Sequence, residues 1–162
     1  MNRESAVKAF FRIFRAEFHD ARYVISEELS RGGKPHFVIR IPAVHPRITK
    51  PLVIYIDEHD FSWGWVDGHH DHCTLHKRAE FEQMVRISMR QVRHVISDRV
   101  ILGTNRHGNA RTMQWMRPVG STYPVPKLEP GEHCNSVSWT GRYDAEWVYG
   151  EAMPSFLNLV GE

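Results

Sequence analysis

The stretch from Arg78 to Asp98 constrains the fold more than any other. Phe81, Met84, Val85, Val92, Val95 and Ile96 recur at the three- and four-residue spacing of one helical face, with Glu82, Arg86, Arg90, Arg93 and Ser97 on the other. Glu82 and Arg86 stand four apart in the stabilising order. The rest of the chain is mostly short apolar or alternating runs punctuated by Gly and Pro, so this helix has a sheet to pack on.

A second amphipathic run, Ser5 to Phe18, places Val7, Phe10, Phe11, Phe14 and Phe18 on one face and Lys8, Arg12 and Arg15 opposite. Asn2 suits an N-cap and Glu4 the positive end of the helix dipole. Tyr23–Leu29 and His36–Ile41 flank a Gly-Gly pair, a hairpin signal because both glycines accept positive φ. Leu52–Ile56 and Phe61–Val66 form a second hairpin candidate. Val100–Leu102 and Arg111–Arg117 form a third, across a Gly103–Asn109 turn, and Ser136–Thr140 and Glu146–Tyr149 are short strand candidates. Four prolines between residues 118 and 133 predict an irregular crossover outside the sheet. The expectation is one α+β domain over residues 1–162, an antiparallel sheet of about six strands carrying the N-terminal helix and the long central helix.

At 162 residues, with 41% apolar and 25% charged side chains, the chain has the composition of an ordinary globular domain. A formal charge of +2 supplies no global basic field for nucleic acid. No apolar run approaches the roughly 18 to 20 residues of a membrane-spanning helix. Two cysteines, Cys73 and Cys134, make no disulfide framework, and with no recognisable signal peptide the expectation is a reduced, cytoplasmic protein.

Between the second hairpin and the central helix lies the knot Gly68-His69-His70-Asp71-His72-Cys73-Thr74-Leu75-His76, read as a strand-to-helix junction. Imidazole, carboxylate and thiolate are metal-binding groups, and His69, His72, His76 and Cys73 form a candidate zinc set. If the segment is helical, His72 and His76 share a face at i, i+4. His133 and Cys134 are further donors if the crossover folds back. No His-Glu-x-x-His is present and Cys73 lacks a C-x-x-C partner, so a solvated turn with one or two histidines capping the following helix is the simpler account of the knot. A Cys73 nucleophile needs a base and an orienting group that no known signature supplies, and cysteine is more often a packed thiol. Arg78, Arg86, Arg90, Arg93 and Arg99 together with the N-terminal basic stripe are interrupted by acids, and a solvated helix face accounts for them better than nucleic-acid binding. Small antiparallel α+β domains rich in aromatics serve as binding modules, and the candidate contact residues are His70, His72, Arg106, His107, Trp139 and Tyr143.

A Trp-containing strand, Gly68-His69-His70-Asp71-His72-Cys73, an amphipathic helix, a Val-rich strand and the ending Ser138-Trp139-Thr140-Gly141-x-x-Asp144 together resemble small bacterial proteins of polymorphic-toxin immunity type. His70 and His72 match the His-x-His of such proteins, whereas Cys73 stands where an aromatic is usual. The resemblance implies a cytoplasmic, non-enzymatic protein that binds a cognate toxin without a cofactor. The near-neutral charge does not suit a basic nuclease as target. The alternative is a metal-dependent hydrolase built on His69, His70, Asp71, His72 and His76.

Overall fold

The computed structural model describes residues 3–30, 32–56, 60–66, 70–74 and 78–157, and of residues 3, 70–74, 78 and 79 the backbone only. The elements run α1 (Arg3–Glu17), β1 (Val24–Leu29), β2 (Pro35–Ile41), β3 (Leu52–Ile56), β4 (Asp60–Gly64), β5 (His70–Thr74), α2 (Arg78–Ile96), β6 (Val100–His107), β7 (Ala110–Pro118), β8 (Glu132–Val137) and β9 (Ala145–Val148). A short 3-10 turn at Ser155–Leu157 closes the described chain. The α+β class holds, but the single sheet of about six strands does not. There are two antiparallel sheets, one of five strands in the order β1-β2-β3-β4-β5 and one of four in the order β7-β6-β8-β9. Hydropathy counts strands but does not say which edges pair, and α2 interrupts the run of hairpins between β5 and β6.

The chain divides into two compact units, one made of Met1–Ala43 and Ile48–Arg93, the other of Val44–Arg47 and His94–Glu162. In the first, every strand pairs with its sequence neighbour. The register aligns Ile39, Ile54 and Trp63 in one cross-strand row and Phe37, Ile56 and Phe61 in the next. All of these are buried except Phe37, which is half-buried. Helix α1 covers this face: the Phe10 ring lies 6.1 Å from that of Phe61, and Phe11 meets Phe37 edge-on at 5.3 Å. Its fully buried stripe is Ala6, Ala9, Phe10, Ile13, Phe14 and Phe18, rotated slightly from expectation so that Val7 and Phe11 are only half-buried. Each buried Phe contributes about 2 kcal/mol of transfer free energy.

The basic stripe of α1 is engaged locally. Lys8 pairs with Glu4, Arg12 reaches Glu82 of α2 at 2.7 Å, and Arg15 lies over the Phe11 ring at 5.8 Å. Arg93 holds both carboxylate oxygens of Asp20 at 2.7 Å, so two ion pairs brace α2 against the α1 region. On α2 the buried positions are Phe81, Val85, Ser88, Met89, Val92 and Val95. Met84, expected inward, is 38% exposed because it sits at the margin of that stripe.

In the second unit, Ile101, Val125, Cys134, Trp147 and Leu157 form a buried core cluster, with Trp115, Leu128, Tyr143 and Phe156 packed against it. The proline-rich crossover therefore contributes Val125 and Leu128 to the core as it passes. The Gly103–Asn109 turn is shorter than its composition suggested: β6 continues to His107 and the chain reverses at Gly108, φ 56°, and Asn109. Gly103 is a packing residue. A Cβ there would lie 1.9 Å from the Trp115 ring, which lies against the glycine from the facing strand.

Candidate functional site

With α1 on one face of the first sheet, the other face carries the residues of opposite parity. These are Val24, Ser26 and Glu28 on β1, His36, Val38 and Arg40 on β2, Val53 and Tyr55 on β3, and Asp60 and Ser62 on β4. Tyr55 is 45% exposed, and the His36 ring lies 6.0 Å from it. Arg40 Nη1 donates to Glu28 Oε1 at 2.7 Å and to Ser26 Oγ at 2.8 Å, and the Ser26 hydroxyl donates to the same Glu28 oxygen at 2.7 Å. The Arg40 and Ser26 hydrogen bonds favour the carboxylate, pulling Glu28 down to about 2. The register continues this face onto β5, with His72 opposite Ser62 and His70 opposite Gly64.

A second polar constellation lies in the other unit. His45 Nε2 is 2.7 Å from Asp144 Oδ2, and His45 Nδ1 accepts the Arg47 backbone N–H at 3.0 Å. A nitrogen that accepts carries no proton, so Nε2–H is the donor to the carboxylate. Arg47 Nη2 donates to the same oxygen at 2.8 Å, and the Ser138 backbone N–H donates to Oδ1 at 3.0 Å. The Ser138 hydroxyl accepts the Tyr143 N–H at 3.0 Å. Gly141, at φ 82°, leaves room that a Cβ would take from His45 Nε2 (3.3 Å) and from the Pro46 ring (3.2 Å). Asp98, itself at φ 52°, accepts the Thr140 N–H at 3.0 Å and the Thr140 hydroxyl. Ser138, Gly141 and Asp144 of the terminal motif thus build a turn that clasps His45. Neither His45 nor Asp98 stood out in the sequence. The one signal was the Gly141–Asp144 spacing, which marks a turn without naming its partner.

The candidate metal set falls partly outside the described residues. His69 and His76 lie there entirely, and of His72 and Cys73 only the backbone is described. That backbone is a strand at His72, which is not the helix that the i, i+4 pairing with His76 required; His70–Thr74 of the knot form β5 along the edge that β4 offers. Cys134 lies in the core of the second unit, where burial pushes its thiol up to about 12, and adjacent His133 alternates to the opposite face of β8. Among the described residues no three His, Cys, Asp or Glu side chains converge as a metal site.

The candidate contact residues do not form one patch. His70 and His72 belong to the first unit; Arg106, His107, Trp139 and Tyr143 belong to the second. Arg106 is half-buried and His107 exposed at the end of β6. Trp139 is 4% exposed, which makes it a packing residue, and half-buried Tyr143 rests on Phe156 with Arg142 over its ring. No family model, curated protein or solved structure shows a significant match to the chain.

Proposed function

We propose that the chain is a non-enzymatic protein-binding module of the toxin-neutralising kind, contacting its partner through the outward face of the first sheet. One observation carries the binding reading: Tyr55, His36, Arg40 and Glu28 stand on a hydrogen-bonded sheet whose opposite face is packed against α1. Tyr and Arg are the residue types that dominate interface energetics, and braced side chains lose little entropy on docking. The toxin as partner rests on the resemblance of Gly68–Cys73 and Ser138–Asp144 to immunity-type proteins, and a cytoplasmic setting goes with it.

The test is co-expression with the product of a neighbouring toxin-like reading frame, followed by calorimetry on the purified pair. The chain is expected to relieve the growth defect and form a nanomolar complex, and Tyr55→Ala combined with Arg40→Ala is expected to weaken it at least ~10-fold without lowering the melting temperature comparably. Unrelieved toxicity, or a complex indifferent to both substitutions, would overturn the reading. Metal-dependent turnover of a phosphodiester or ester by the chain alone would replace it with a hydrolase.

A further inference from the structure

The free side of β1 is an open strand edge, and the register fixes which backbone groups it presents. The Ser30 N–H donates to the Lys34 carbonyl at 2.8 Å, so the pair beside the β1–β2 turn is hydrogen-bonded. Bonded and non-bonded pairs alternate along an antiparallel ladder. Leu29 opposite Pro35 is then a non-bonded pair, which suits proline's missing N–H, and Ile25 opposite Ile39 is another. Glu28 opposite His36 and Ser26 opposite Val38 are bonded pairs between them. Ile25, Glu27 and Leu29 accordingly turn their N–H and C=O groups away from β2, and no described strand pairs with that side of β1.

Open edges invite another strand, and folds usually guard them. The second sheet guards both of its own. Strand β7 ends at Pro118 and bulges where Arg106 pairs with Arg111, which leaves Thr112 as an extra residue. On β9 the Val148 N–H is taken by Glu151 Oε2 at 3.0 Å. Strand β1 has neither proline nor bulge along its register with β2, and its Glu28 is bound by Arg40 of β2. At its two ends Val24 is 61% exposed and Leu29 72% exposed.

The side chains along the edge define the strand that fits it. Ile25 and Leu29 share the α1 face of the sheet with Phe37 and Ile39. There Phe11 of α1 meets Phe37, and Phe11, Ile25 and Phe37 are only half-buried. Together with exposed Leu29 they make an apolar lip beside the open edge. On the other face β1 presents Val24, Ser26 and Glu28, which belong to the outward surface described above.

We propose that β1 receives an extended segment of the protein partner as a sixth strand of the first sheet, with apolar side chains at alternate positions seated on the Phe11–Leu29 lip. In strand addition, main-chain hydrogen bonds supply affinity and alternate side chains supply selectivity. The intervening side chains of the segment land beside Ser26 and Glu28, so one partner can hold the edge and the outward face together. The pairing lies wholly within the first unit and rests on the binding reading above for its protein partner.

The experiment combines the full chain with a labelled, end-blocked peptide alternating Val and Lys, followed by fluorescence anisotropy and amide hydrogen exchange. The same peptide N-methylated at every valine keeps its charge and loses its ladder donors. The parent peptide is expected to bind, and the N-methylated one at least ~10-fold more weakly. On binding, the Ile25 and Leu29 amides are expected to pass from fast to slow exchange, while those of Ser26 and Glu28, bonded to β2, stay slow throughout. Leu29→Pro removes an outward donor and is expected to weaken binding at least ~10-fold. Leu29→Ala, which keeps that donor, is expected to weaken it less, and Tyr55→Ala not at all. Thermal melts of each variant separate lost binding from lost fold. Failure of the parent peptide to bind, or equal binding after N-methylation, would overturn the proposal. Slow exchange of Ile25 and Leu29 in the free chain, deepening with concentration, would overturn it by assigning the edge to a second copy. No toxin is present, so failure here leaves the outward-face contact standing, and unrelieved toxicity on co-expression leaves the edge standing.

Discussion

His45 Nε2 lies 2.7 Å from Asp144 Oδ2, between side chains that are 1% and 9% exposed. Every polar atom of this imidazole and carboxylate has a partner: Nδ1 accepts from Arg47, Oδ1 accepts from Ser138, and Oδ2 also accepts the Arg47 guanidinium. Removing the carboxylate strands the buried His45 Nε2–H and Ser138 N–H away from water, whereas the Arg47 guanidinium, 74% exposed, returns to solvent. Asp144→Ala is therefore expected to destabilise the protein by roughly 3 kcal/mol, read as a lower urea midpoint. Asp144→Asn, which keeps an acceptor oxygen for Ser138, is expected to cost less. A midpoint unmoved by Asp144→Ala would mean that the clasp contributes nothing to stability.

Gly103 is held by sterics rather than by backbone conformation. A methyl group there would meet the Trp115 ring at 1.9 Å, and that indole donates to Asn105 Oδ1 at 3.1 Å. Gly103→Ala is expected to cost at least about 2 kcal/mol and to change the tryptophan emission as the ring is displaced. A native-like spectrum with an unchanged melt would show that Trp115 can move away freely.

The Arg40–Ser26–Glu28 network has a pH signature. Glu28 titrates at about 2 in the fold against a reference value of 4.5, so the unfolded chain takes up its proton first as pH falls. The stabilisation is present above 4.5 and is lost progressively down to about 2. The carboxyl resonance of Glu28 is expected to inflect near 2 in the parent protein and to move back toward 4.5 in Arg40→Gln. The same inflection in both would mean that the ion pair does not form in solution.

Cys134 has the opposite sense. Its thiol is raised from 9.0 to about 12 by desolvation, so above pH 9 the unfolded chain loses a proton that the native state keeps. Stability is expected to decline across that interval, and less so in Cys134→Ala. In a Cys73→Ser background, a thiol reagent at about pH 8 should label Cys134 only after denaturation. Rapid labelling of the native protein would show that the core opens readily.

Both helices and the runs that became β1 to β4, β7 and β9 were legible in the sequence, because their periodicities reflect one-sided burial of an element against whatever covers it. β5 was not: His70 to Thr74 carries no apolar alternation, and it is a strand because β4 presents a free edge. The extent of β6 was also missed. Gly103, Thr104 and Asn105 are turn formers by propensity, yet the space Gly103 leaves for Trp115 and the bond from Trp115 to Asn105 keep them in the sheet. Of the candidate site residues, Arg106 could be named from its type alone, but the bulge that brings Arg111 beside it has no hydropathy signal.

Local patterning by itself determined that this chain is α+β, with α1 and α2 amphipathic and hairpins between neighbouring strands. Tertiary structure alone decided that the strands divide into sheets of five and four, that His45 belongs with a carboxylate 99 positions away, and which side of the second sheet Arg111 takes. The physical reason is range. Periodicity and turn chemistry act over a few residues, whereas edge pairing, register and the satisfaction of buried polar groups are settled only when distant segments meet and the alternatives differ in free energy.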